Sequence, residues 1–566
     1  MTVSAPAAAG PALTGGEAIV EGLLAHGIDT VFGLPGAQIY GLFDALERAQ
    51  PRLKVIGARH EQACSYMALG YARATGRPSV CAVVPGPGVL NAGAGLLTAF
   101  GGNQPVLCVT GQVPRAFLDR GRGQLHEMPD QLATLRGFTK WAARIEYPAF
   151  APQLIAQAFQ QMSSGRRGPA ALEMPWDVFT ERVAVQPCRP LPLIAPAPPD
   201  PERIAAAARL LDASRAPMIF VGGGALDAGD AVLELAERID APVVAFRSGR
   251  GVVSNAHALG LTIAEAYELW PRTDLMIGIG TRLEVPGWRW PFRPAGLKCV
   301  RIDIDPAEMR RSEPDVAVVA DARAGARALA AALRGGAHRR GDWRAAIGRA
   351  RAAAEAQVQR IQPQVGYLRA LRQVLPPNGI VTDEISQVGF ASWYGYPVFA
   401  PRTFIASGYQ GTLGSGYATA LGAKVAHPER PVVAICGDGG FMFAAQELAT
   451  AVQYGIGVVA LVFNNEAYGN VLRDQERDFG GRVLGSKLVN PDFVKLAEAF
   501  GAGSARIDSP ERLKPALERA LAEDRPWLIE IPVPRGSEAD PWRFIHPPPP
   551  AAQSSTGAAA PATGAA

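Results

Sequence analysis

PVVAICGDGGFMFAAQELATAVQYGIGVVALVFNNEAYG, residues 431–469, reads as one complete strand–turn–helix–strand unit. Val432–Cys436 is a β-branched run, Gly437–Gly440 a glycine turn, Ala444–Tyr454 an alanine-rich helix and Gly457–Phe463 a second apolar strand, followed by Asn464–Asn465. In a right-handed βαβ unit the two strands are parallel and their C-terminal ends leave the sheet on the same edge. Asp438 and Asn465, 27 positions apart, therefore meet at that edge. A carboxylate, an amide oxygen and a neighbouring carbonyl make an all-oxygen set, which suits Mg²⁺ or Ca²⁺, and Mg²⁺ tends to share its shell with phosphates. The glycines let backbone N–H groups approach an anion at the start of the helix, where the dipole also favours negative charge. Gly-Asp-Gly alone is an ordinary turn and Asn-Asn alone an ordinary helix start. Joined by a single βαβ unit, they point to a diphosphate held through a divalent cation.

Outward from this unit the same rhythm covers most of the 566 residues. Strands are expected at Thr30–Phe32, Lys54–Ile56, Ser79–Val84, Val106–Thr110 and Ala170–Met174, with helices such as Gly16–His26 and Glu61–Thr75 between them. PCRPLPLIAPAPPDP (187–201) breaks the pattern, and its fixed φ angles suit a semi-rigid linker. Strands at Met218–Val221, Pro242–Ala245, Leu275–Ile279 and Cys299–Asp303 follow, then a long helix near Asp342–Arg360. Alternation of this kind predicts an α/β protein of three doubly wound parallel-sheet domains, at 14–186, 202–350 and 365–535. Residues 1–13 and the low-complexity tail 541–566 are expected to be disordered.

Composition narrows the function classes. At 48% apolar and 19% charged, the chain can bury sizeable cores. A net charge of +4 over this length is no footprint for nucleic acid or an anionic membrane, and no apolar run approaches the ~18 residues of a membrane span. Six scattered cysteines without C-x-x-C exclude a zinc ribbon and a disulfide framework and fit a reducing compartment. With no basic and apolar leader at the N-terminus, a soluble cytoplasmic enzyme is expected.

The GDG…NN spacing resembles the motif of thiamine diphosphate-dependent enzymes, and order and spacing over roughly 14–535 resemble the acetolactate synthase large-subunit branch, with benzaldehyde lyase and other carboligases as neighbours. The resemblance implies pyrimidine-binding, central Rossmann-like and diphosphate-binding domains, thiamine diphosphate with Mg²⁺, and Asp438, Asn465 and the Ala467 carbonyl as metal ligands. It implies that Gly437, Gly439, Gly440, Tyr468 and Gly469 line the cofactor. ARHEQACSYMALGYARATG places Glu61 where the family keeps the glutamate that activates the aminopyrimidine ring, from the partner subunit's side of the site. VFGLPGAQI, with Pro35 and Gly36, resembles the first active-site loop, and GPGVLN (86–91) the glycine loop after the Glu61 helix. VTGQVP places Gln112 beside the thiazolium, DEISQVG places Ser386 and Gln387 near the diphosphate, and YQGTLGSGYATALGA supplies Leu413, which enforces the bent cofactor, with the Gly411 backbone at the pyrimidine. The implied reaction of this transferase is decarboxylation of a 2-oxo acid, pyruvate first, with ligation to a second carbonyl compound. The implied assembly is a homodimer or homotetramer with sites between subunits. A regulatory small subunit is left open.

FAD is also left open. VGGGALDAGD, SGRGVVSNAHALG, GIGTRL and RIDIDPAEM resemble the branch's FAD-domain segments, yet carboligases lacking FAD retain similar turns. There are departures too. GLTIAEAYELW replaces Gly-Met-His-Gly, TRLEVPGWRWPF replaces an Asp-Asp-Arg run and leaves Arg282 to hold a carboxylate, and Val388 follows Gln387 where the branch has histidine. Gln38 stands where benzaldehyde lyase has a catalytic histidine, and Trp288 and Trp290 read equally as an aromatic acceptor pocket or as packing anchors. His60 beside Glu61 and His126 in GRGQLHEMPDQ read first as structural residues. A simple decarboxylase or lyase on the same scaffold is the rival reading. A dinucleotide oxidoreductase built on Gly222–Gly224 lacks the acidic residue about 20 positions on that a ribose requires.

Overall fold

The structure is a computed structural model, which describes residues 10–333 and 341–549. Three six-stranded sheets carry the chain, and every strand pairing within them is parallel. The N-terminal sheet runs across space as Lys54–Gly57, Thr30–Gly33, Ser79–Val83, Val106–Gln112, Ala170–Pro175, Trp141–Arg144. Numbered within its own domain, this is the order 2-1-3-4-6-5. The C-terminal sheet repeats that order with Phe404–Ile405, Ile380–Thr382, Val432–Gly437, Val458–Asn464, Trp527–Pro532 and Gly503–Arg506. The middle sheet differs: Gly260–Leu261, Val243–Ala245, Pro217–Val221, Leu275–Ile279, Lys298–Asp303, Val316–Val319 is the order 3-2-1-4-5-6 of the dinucleotide-binding fold. The fold class read from sequence is the observed one.

The sheets are buried on both faces by helices, which explains their near-continuous apolar strands. One core joins the middle and C-terminal domains, a second joins the N- and C-terminal domains, and a third fills the far face of the N-terminal sheet. The second core is organised by helices Glu61–Thr75 and Ser415–Ala426, which cross backbone to backbone. A Cβ on Gly70 would lie 2.0 Å from the Thr419 carbonyl oxygen, and one on Gly422 1.9 Å from that of Met67. Glycine at these two positions sets the distance between the domain that carries Glu61 and the domain that carries Asp438.

Two sequence expectations need correction. Ala12–Thr14 is not part of a disordered arm, because it pairs antiparallel with Arg182–Ala184; residues 1–9 lie outside the described residues. The tail is ordered as far as residue 549: Pro541–Phe544 forms a 3₁₀ turn, Phe544 and Ile545 are buried, and Tyr394 Oη donates to the Pro541 carbonyl at 3.0 Å. The tail's apolar Trp-Arg-Phe-Ile segment outweighs the prolines after it; residues 550–566 lie outside the described residues. Residues 185–200, the proline-rich stretch, carry no regular secondary structure. Among the described residues no helix is long and apolar enough to cross a membrane.

Candidate active site

The C-terminal edge of the C-terminal sheet gathers the first group of residues. Strand Val432–Gly437 delivers Gly437 as the N-cap of a short helix, Asp438–Phe441. Strand Val458–Asn464 runs beside it in register, with Gly437 opposite Phe463, so Asn464 and Asn465 leave the sheet next to Asp438. Asn490 bridges the two segments, its Nδ2 donating to Asp438 Oδ2 at 2.6 Å and to Asn464 Oδ1 at 2.9 Å. Burial pushes the Asp438 carboxyl up, against the pull of the Asn490 amide and of the Gly439 and Ala467 N–H groups. Glu538 accepts from Asn465 Nδ2 at 2.7 Å and so turns Oδ1 the other way, where it is buried without a hydrogen-bond partner. A buried, unpartnered amide oxygen is costly unless something fills its lone pairs. Beside a carboxylate, it fits an oxygen-seeking divalent cation. Ala467 is buried, bridged to Lys487, and follows Glu466 in the left-handed region (φ 53°).

Glycine is required in this turn by space. A Cβ on Gly439 would lie 2.5 Å from the Tyr468 ring, and one on Gly440 would lie 2.3 Å from Glu384 Oε2. Gly469 opens helix Gly469–Asp478 against Asn465 Nδ2. Ser386 caps helix Gln387–Gly395 by accepting from the Gly389 N–H at 3.0 Å. Arg473 donates to Gln387 Oε1, which leaves Gln387 Nε2 a buried donor without a partner, suited to an anionic oxygen at the helix N-terminus. Gly411 (φ 57°) and half-buried Leu413 lie in the loop before helix Ser415–Ala426, where Thr412 Oγ1 meets Thr98 Oγ1 of the N-terminal domain at 3.0 Å.

Glu384 is the residue sequence reasoning passed over. It is fully buried between Gly440 and Gly414, and the Gly414 N–H donates to Oε1 at 2.5 Å while Oε2 has no partner. Burial pushes its carboxyl up to about 8, against the pull of the Gly414 and Gly416 N–H groups. Asp383 beside it, held by Trp393 Nε1 and the Ser407 N–H, is raised by burial to about 6.

A second group sits on the corresponding edge of the N-terminal sheet. Glu61 opens its helix, where its charge favours the N-terminus, and His60 is the N-cap, accepting from the Gln62 N–H at 3.1 Å. Glu61 is half-buried, accepts from Asn91 Nδ2 at 3.0 Å and faces Gly88. Gly36, after exposed Pro35, packs on Val84, whose other methyl group faces Gly88. Gln112 is committed within its own domain: Oε1 accepts from the Val113 N–H at 2.8 Å and Nε2 reaches Glu173 at 3.4 Å, a buried carboxylate also held by Gln131 and Arg144.

A third feature is a crevice of about 310 Å³ where the middle domain meets the other two. It opens between Gly222–Gly224, after the first strand of the middle sheet, and Thr281–Arg282, after the fourth, the point at which strand order reverses. A Cβ on Gly222 would lie 2.5 Å from the Gly280 carbonyl oxygen, so these loops close up only as glycine. Arg166, Arg247, Arg323 and Arg402 line the crevice, and Arg282 donates to the Gly101 carbonyl and covers the Tyr409 ring. After the second strand, Val243–Ala245, come Phe246 and Arg247 in place of an acidic ribose ligand. Trp290 is a buried packing anchor against Trp270 and Phe220, whereas Trp288 is exposed.

Comparison with known proteins agrees with this layout. Three family models match in order: the thiamine pyrophosphate enzyme N-terminal TPP binding domain over residues 13–134, the central domain over 204–329 and the C-terminal TPP binding domain over 384–531. The chain belongs to the thiamine pyrophosphate enzyme family. Among its relatives, a probable 2-ketoarginine decarboxylase, AruI, of Pseudomonas aeruginosa is 34% identical, covering 92% of this chain and 94% of that one. A probable acetolactate synthase large subunit of Methanocaldococcus jannaschii is 34% identical over 92% of each chain. The acetolactate synthase isozyme 1 large subunit of Escherichia coli K12 is 30% identical, covering 92% of this chain and 93% of that one. As a thiamine pyrophosphate enzyme, the chain carries its two binding domains at the ends and the crevice-bearing domain between them.

Proposed function

We propose that this enzyme uses thiamine diphosphate and Mg²⁺ to decarboxylate a 2-oxo acid and to ligate the remaining fragment to a second carbonyl compound, in the manner of acetolactate synthase. The observation that carries the metal and cofactor reading is the pairing of Asp438 with the buried, unpartnered Asn465 Oδ1. Asp438, Asn465 and the Ala467 carbonyl would hold Mg²⁺, and Gln387 Nε2 with the N-termini of the Gln387–Gly395 and Gly469–Asp478 helices would hold the diphosphate. When bound, the cofactor supplies a carbon nucleophile and a sink for the electron pair left when CO₂ departs. Glu61 would hold a proton at the pyrimidine, and Leu413 would fix the cofactor's bend. The half-buried Glu61 edge and exposed Leu90, Leu97 and Phe100 on one face of helix Pro87–Gly101 support a homo-oligomer in which a second copy closes each site. FAD fits the middle-domain crevice by strand order, glycine loops and arginine lining.

A non-ligating 2-oxo acid decarboxylase is the second reading, favoured by the decarboxylase named among the relatives and by the three replaced sequence segments. Product analysis separates the two. With pyruvate alone, ligation gives acetolactate or acetoin and simple decarboxylation gives acetaldehyde; a panel of oxo acids and aldehydes then identifies the donor and acceptor. Native mass spectrometry of the purified chain reads thiamine diphosphate, Mg²⁺ and FAD directly, and the masses of the assemblies give the subunit count.

A further inference from the structure

Behind the Glu61 edge the N-terminal domain buries a carboxylate that the proposed reaction does not use. Glu173, on strand Ala170–Pro175, is fully buried. Arg144 Nε, on the neighbouring strand, donates to its Oε1 at 2.6 Å, and Gln131 Nε2 donates to its Oε2 at 2.8 Å. An ionised carboxylate only accepts hydrogen bonds, so Glu173 fixes which way the Gln131 amide faces. Gln131 Nε2 also donates to the Gly111 carbonyl at 2.9 Å, and Oε1 is left to accept from the Gly86 N–H at 2.7 Å. Both ends of that last bond are buried, and a buried N–H stripped of its acceptor is costly. Gly86 is the N-cap of helix Pro87–Gly101, with φ 60°, a conformation open to glycine. The first turn of this helix is the wall of Glu61: a Cβ on Gly88 would lie 3.4 Å from Oε1, and Asn91 Nδ2 donates to Oε2 at 3.0 Å. One line of contacts thus runs from Glu173 through Gln131 and the helix start to the Glu61 carboxylate.

We propose that Gln131 is a positioning residue for Glu61: oriented by Glu173, it seats the start of helix Pro87–Gly101 and so sets where Asn91 holds the Glu61 carboxylate. This rests on the reading in which Glu61 holds a proton at the pyrimidine. A carboxylate that shares a proton with a ring nitrogen works only within hydrogen-bond reach, and a misplacement of about 1 Å is felt strongly in rate. Glu61 has little else to fix it, since it is half-buried and Asn91 is its one side-chain hydrogen-bond partner among the described residues. An apolar side chain of the same size would fill the space of Gln131. Only an amide oriented as this one is can tie the Gly86 turn, the Gly111 strand end and Glu173 together. The groups between Glu173 and Asn91 are neutral, so the line transmits position rather than charge.

Gln131→Met keeps the volume and removes both the donor and the acceptor. In the holoenzyme, deuterium exchange at the thiazolium carbon of bound thiamine diphosphate, the step that needs Glu61, is expected to slow about 10- to 100-fold. Thiamine diphosphate affinity stays within about twofold of the parent. In a Glu61→Gln background the same substitution changes the exchange rate less than about twofold, because the group it positions is already gone. Gln131→Glu, which sets two carboxylates against each other, slows exchange as well, and adding Glu173→Gln, which reverses donor and acceptor, restores most of it; this pair serves should the methionine variant not fold. Exchange within about threefold of the parent in Gln131→Met or Gln131→Glu, or an equal loss with and without Glu61, overturns the positioning role. If Glu61→Gln alone exchanges at the parent rate, the reading of Glu61 fails instead. The Asn91 Nδ2 resonance of cofactor-free protein labelled with ¹⁵N-asparagine then still decides: it moves in the Gln131 variants if Gln131 seats this helix, and an unmoved resonance overturns that.

Discussion

The N- and C-terminal domains share one strand order, and their corresponding edges carry opposite kinds of half-site. The C-terminal edge is finished. Asp438, Asn465, Glu384 and Gln387 are each gripped by a neighbour of their own chain, and Asn465, Glu384 and Gln387 each keep one buried atom without a partner. The N-terminal edge is open: Glu61 is half-buried with one side-chain partner, and Gln38 and His126 keep unbonded atoms. Identical topology therefore fixes where a site stands, while side chains from distant loops decide whether it is preorganised to bind or waits for a second surface.

The largest expected effect separates the halves outright. Glu61→Gln should cut turnover by 10²–10⁴-fold or more while thiamine diphosphate affinity stays near the parent value. Asp438→Ala should abolish turnover by abolishing metal-dependent cofactor binding. Calorimetric titration beside initial rates measures both, and equal loss of binding in the two variants would erase the contrast. Next in size, Asn490→Ala releases Asp438 without removing a ligand and should weaken Mg²⁺ binding by roughly 10–100-fold, read as the Mg²⁺ concentration for half-maximal activity.

The smallest effect is on stability. Glu384 is raised from its usual 4.5 to about 8 by burial, so between those values the folded chain keeps a proton that the unfolded chain has lost. Raising pH through that window favours unfolding. Glu384→Gln removes this dependence. Relative to the parent, the cofactor-free variant should gain melting temperature as pH rises from 5 to 8, each pH unit of displaced titration being worth about 1.4 kcal/mol. A gap that stays flat with pH would mean Glu384 is ionised in the fold.

The strand pairing beneath the C-terminal half-site was legible because it is compressed into one βαβ unit, residues 431–469, whose parallel strands put Gly437 opposite Phe463 and so Asp438 and Asn465 at neighbouring strand ends. Asn490, Glu538 and Glu384 were not legible: they arrive from separate loops, and a lone Asn or Glu in a loop carries no spacing signal. Strand order was likewise hidden, since alternation predicts parallel sheets but not which strand lies at the edge. Gln112 differs in kind: its motif position is legible, but its hydrogen bonds to Val113 and to distant Glu173 carry no spacing signal. The ordered tail escaped because prolines after residue 546 masked the buried Phe544 and Ile545.

The most direct measurement titrates thiamine diphosphate into metal-stripped protein, with and without Mg²⁺, for the parent and for Asp438→Ala and Asn465→Ala. Tight binding by the parent only when Mg²⁺ is present, lost in both variants, is the predicted result. Affinity that ignores Mg²⁺, or that survives either substitution, would contradict a cation clamped between the two strand ends.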